Sequence, residues 1–75
     1  MPKARSPILD ALDSESYDYL SVNAPELLTA IETEVAAGKT AEQVLRLVST
    51  HVGPDRQALA VRCYQAANFI LRQRG

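Results

Sequence analysis

The chain has 75 residues, of which 47% are hydrophobic and 23% charged, and its net charge is −1. This balance excludes global disorder and gives no overall pull towards nucleic acid or an anionic membrane. Cys63 and His51 are the only cysteine and histidine, so an internal disulfide is impossible and the four N/S ligands of a structural zinc site are lacking.

A domain this small buries a modest share of its surface. With neither disulfide nor metal to staple it, the expected supplement is a partner subunit or another protein. No run of about 18 apolar residues exists, so no membrane contact is expected. Met1-Pro2-Lys3-Ala4-Arg5-Ser6-Pro7 carries charge without an apolar segment behind it, which is not a secretory signal. A lone cysteine without such a signal fits a reducing, cytoplasmic setting.

Residues 1–5 are expected to form a flexible arm ahead of a single helical domain at 6–75. Ser6-Pro7 is a helix-start pair, and Ile8, Leu9 and Leu12 follow at helical spacing. Asp13-Ser14-Glu15-Ser16 reads as a break, giving short helices at about 7–12 and 15–21. The alternative is the polar face of one continuous helix. Tyr19 and Leu20 suit core packing with a hydroxyl at the edge.

The next helix is expected at about 24–37. Asn23 is its N-cap, Glu26 completes a capping-box pattern and Pro25 sits in the first turn. Leu27, Leu28, Ile31 and Val35 make one narrow apolar stripe, and Gly38 ends the helix. Thr40 and Gln43 form a second capping box, opening a helix at 41–52. Its apolar face is Ala41, Val44, Leu45, Val48 and Val52, and Gly53-Pro54 stops it.

The last helix, at about 55–73, has an apolar arc covering well over half its circumference. Leu59, Cys63, Ala66, Ala67 and Ile70 lie at its centre, with Tyr64 and Leu71 on one edge and Phe69 on the other. Such a helix is either central in a bundle or shared with a partner. The fold class is therefore all-α: three main helices and a shorter N-terminal helical segment, joined by connections short enough to make sequential helices neighbours.

Charge is split along the chain. Lys3 and Arg5 against Asp10, Asp13, Glu15, Asp18, Glu26, Glu32 and Glu34 leave residues 1–37 at −5. Lys39, Arg46, Arg56, Arg62, Arg72 and Arg74 against Glu42 and Asp55 leave residues 38–75 at +4. Opposed halves attract either within one chain or between chains.

No motif for catalysis survives inspection. Gly38-Lys39-Thr40 resembles the tail of a phosphate loop, but Thr33 stands where the first glycine belongs and a helix precedes it. Cys63 sits mid-face as a small buried hydrophobe, on a different helix from His51. Carboxylates two apart, such as Glu32 and Glu34, diverge on a helix. Tyr17-Asp18-Tyr19-Leu20 matches short tyrosine signals without confirming context.

The expected function is therefore a non-catalytic protein-interaction or self-assembly module, small and regulatory, with no cofactor, metal or small-molecule substrate. The expected interface is Tyr64, Leu71 and Phe69 with a polar rim of Arg62 and Arg72, because Tyr and Arg are favoured at such positions. An alternative is a nucleic-acid-binding regulator with a helix-turn-helix-like pair at 41–73. It would use Arg56, Gln57, Arg62, Arg72 and Arg74. A further alternative is an inhibitor of a larger enzyme or assembly.

Overall fold

The computed structural model describes residues 7–74. The arm expected at 1–5 lies outside them. The helices are α1 (Pro7–Asn23), α2 (Pro25–Ala36), α3 (Ala41–Val52) and α4 (Gln57–Arg74), with a 3-10 turn at Pro54–Arg56 between the last two. Among the described residues there is no strand, and no helix is long and apolar enough to cross a membrane.

All three other helices pack on α4. The reason lies in its side chains. Ala60, Cys63, Ala66 and Ala67 are completely buried, and residues this small let neighbouring backbones approach closely. Into that seat pack Leu20 from α1, Leu28, Ile31 and Val35 from α2, and Ala41, Val44 and Val48 from α3. The wide apolar arc of α4 is thus met by three neighbours.

The helix boundaries follow local chemistry. Gly38 (φ +97°) closes α2 in a Schellman arrangement: its N–H donates to the Val35 carbonyl and the Lys39 N–H donates to Glu34. The Thr40–Gln43 capping box forms in both directions. Gly53 adopts φ 81° and ψ 175°, a region open essentially to glycine alone.

Two expectations are corrected. The polar run at 13–16 does not break the helix, because α1 is continuous from Pro7 to Asn23. Asp13 and Ser16 face α4, where Arg72 and Gln65 partner them, so neither needs to open the backbone. Nor does Asn23 cap α2. It is the last residue of α1, and its amide donates to the Tyr19 carbonyl. Ala24 caps α2 with its backbone alone, its carbonyl accepting from the N–H groups of Leu27 and Leu28.

Candidate interaction surface

The pairs that join α1 to α4 link the start of α1 to the end of α4 and the end of α1 to the first half of α4. Asp10 and Asp13 meet Arg72, Tyr17 meets Phe69, Ser16 meets Gln65 and Tyr19 meets Arg62. The two helices are therefore antiparallel. Arg72 Nη1 lies 3.1 Å from Asp10 Oδ1 and 3.4 Å from Asp13 Oδ2. The Ser16 hydroxyl donates to Gln65 Oε1. The rings of Tyr17 and Phe69 stand 4.8 Å apart at a 41° tilt, with the Arg72 guanidinium 5.5 Å from the Phe69 ring centre.

This seam has a consequence for the rest of α1. A helix that packs by its apolar side keeps its polar side in water. In α1 two of the three buried residues are polar: Asp13 and Ser16 are 1% and 2% exposed, beside the buried Leu20. The flank beside that buried face carries Leu12, Tyr19 and Val22, which are 40%, 41% and 79% exposed, and Ile8 is exposed there as well. At 100° per residue, positions 12, 15, 19 and 22 fall on one stripe. Glu15 is its only charge, and among the described residues it has no ion pair. Arg62 borders the stripe from α4, its guanidinium 4.0 Å from the centre of the Tyr19 ring. Arg56 and Asp55 lie near the same edge, in a shallow depression shared with Tyr19 and Arg62.

A second apolar surface lies between α2 and α3, which touch each other sparsely because each packs on α4. It is a groove of about 340 Å³ lined by Leu27, Ile31, Val44, Leu47 and Val48, with Glu34 and His51 among its walls. Glu34 pairs with Lys39 at 3.5 Å. A small-molecule site ordinarily gathers several convergent polar groups, and this groove has two. Among the described residues no cluster of His, Cys, Asp or Glu could hold a metal ion.

The residues expected at an interface on α4 have partners inside the chain. Tyr64 and Leu71 are half-buried and pack against the core. Phe69 stacks on Tyr17, and Arg72 binds Asp10 and Asp13. Of that set Arg62 remains at the border of an open surface. The residues of the nucleic-acid alternative are not brought together for base reading. Gln57 donates to the Gly53 carbonyl and accepts from Ser49, Arg72 is tied to acids, and Arg56 and Arg74 stand at opposite ends of the α4 segment. Cys63 is fully buried, and burial pushes its thiol up to about 11, the opposite of an activated nucleophile.

The chain matches no family model, no curated protein and no solved structure. The candidate surface therefore rests on geometry. Sequence reading misses Leu12, Glu15, Tyr19 and Val22 as one surface. Their spacing is visible, but a break at 13–16 divides the stripe between two short helices, and Tyr19 reads as a core residue.

Proposed function

We propose that this protein is a non-catalytic, protein-binding module of regulatory or adaptor type, and that its docking surface is the outward face of α1. The observation that carries the reading is the exposed flank of α1: Leu12, Tyr19 and Val22 stay open to solvent while Asp13 and Ser16 beside them are buried. Leaving such a stripe wet forgoes roughly 25 cal/mol per Å² of apolar surface. A partner recovers that stabilisation. Exposed apolar patches bordered by polar groups mark protein contacts; here Glu15 stands within the stripe, and Asp18 and Arg62 border it.

Binding stabilises a marginal domain by mass action, which suits a chain of 75 residues with a single cysteine. The test is a photo-crosslinking side chain placed at Val22 in the expressing cell, with one at Gln73 as the control. A discrete crosslinked protein species from position 22, absent from position 73, is the expected result. No discrete species from position 22 contradicts the reading.

A further inference from the structure

We propose that the occupant of the outward face of α1 is a second copy of this chain, laid antiparallel across the same face, with Glu15 of each copy paired to Arg62 of the other. The inference rests on the binding reading above and adds the identity of the partner.

A two-fold contact demands that one patch match itself after rotation. Positions 12, 15, 19 and 22 are symmetric about position 17, and Ile8 of the same face lies beyond the symmetric segment. In an antiparallel pair Leu12 therefore faces the partner's Val22, and Glu15 faces the partner's Tyr19. The guanidinium already standing over Tyr19 is Arg62. The same rotation thus brings the one charge of the stripe to a cation of opposite sign, twice. A foreign acidic partner would be met by Glu15 as a like charge, and a foreign basic one by Arg62. A second copy meets both with opposites, and such charge matching fixes register and excludes wrong partners.

The stripe from 12 to 22 is about 15 Å long, at 1.5 Å per residue. A contact of that length lies towards the small end of specific interfaces, so a weak, reversible dimer is expected.

The experiment uses the full chain and two single charge reversals, Glu15→Arg and Arg62→Glu, with mass measured by light scattering across concentrations. The unaltered chain is expected to approach twice 8.2 kDa as concentration rises. Each reversal alone places like charges together at both contacts and should raise the dimer dissociation constant by roughly tenfold or more. In an equimolar mixture of the two variants, one contact joins the introduced arginine to the introduced glutamate. The other joins the native Glu15 to the native Arg62. Both contacts are then restored and a heterodimer forms. Val22→Arg, which alters neither charge, should also give the single-chain mass. Circular dichroism on each variant checks that helical content is kept.

The inference is overturned if the mixture stays monomeric, if either reversal dimerises like the unaltered chain, or if that chain remains monomeric up to about 1 mM. Crosslinking of Val22 to a different protein alongside a monomeric chain would remove the second copy while leaving the binding reading in place.

Discussion

Arg62 of α4 stands over the ring of Tyr19 of α1, with the guanidinium carbon 4.0 Å from the ring centre. The contact ties the edge of the outward face to the central helix and fixes a cation beside an apolar stripe. Part-exposed cation–π contacts contribute about 0.5–1 kcal/mol. Tyr19→Leu keeps the apolar surface but loses the ring, so urea unfolding is expected to show a loss within that range. A loss of several kcal/mol would mean that Tyr19 belongs to the core.

The Arg72 network is expected to matter more. Arg72→Ala removes the guanidinium that faces the buried Asp13 carboxylate, and losing one partner of a buried ion pair is costly. Because the Arg72 side chain is itself 35% exposed and partly screened, the expected loss is about 2 kcal/mol, below the range for a fully buried pair. Asp10→Asn, at the exposed arm of the same network, should cost under about 1 kcal/mol. Equal losses at the two positions in denaturant titrations would show that burial of Asp13 does not set the energetics.

Two substitutions test the helix boundaries. Thr40→Ala removes the hydroxyl that accepts from the Gln43 N–H and should cost about 1 kcal/mol. Gly53→Ala forces a side chain onto φ 81° and ψ 175°, where the expected penalty is about 1–3 kcal/mol. No atom within 4 Å would meet the new methyl group, so the cost is backbone strain alone. Melting curves in which Gly53→Ala is neutral would contradict that backbone geometry.

Much of this fold was legible in the sequence, for identifiable reasons. The Thr40 capping box, the Gly38 and Gly53-Pro54 stops and the apolar periodicity of α2 and α3 are local signals, and each element begins or ends within a residue or two of expectation. Leu28, Ile31, Val35, Val44 and Val48 form the core that their spacing implied. The N-terminal half of the surface was not legible, because burying Asp13 and Ser16 depends on Arg72 and Gln65, which lie 59 and 49 residues away. Without those partners a polar run reads as a break. The same distance hid the site: with α1 divided, Leu12 and Val22 could not be seen as one stripe. The charge split had two readings, and the Arg72 contacts with Asp10 and Asp13 place part of the attraction inside the chain.

Cys63 gives a prediction in pH. Its thiol is raised from 9.0 to about 11 by burial, so the folded chain holds its proton where an unfolded chain releases it. The contribution is fully present below about pH 9 and is lost as pH rises from 9 towards 11, because the unfolded state then binds fewer protons. Alkylation at pH 8 should be slow in the folded chain and fast in denaturant. Equal rates in both would show that the thiol is not enclosed by α4 and its neighbours.

The central claim is that the docking surface of this bundle lies on α1, whereas the wide arc of α4 belongs to the core. A side-by-side measurement on two double variants tests it most directly: melting temperature at low concentration, and association read by mass and by crosslinking from a neutral surface position. Leu12→Lys with Val22→Lys is expected to melt like the unaltered chain and to lose association. Tyr64→Ala with Leu71→Ala is expected to melt several degrees lower, as half-buried packing is removed. The account is contradicted if the α1 variant unfolds, or if association survives in it and disappears instead from a still-folded α4 variant.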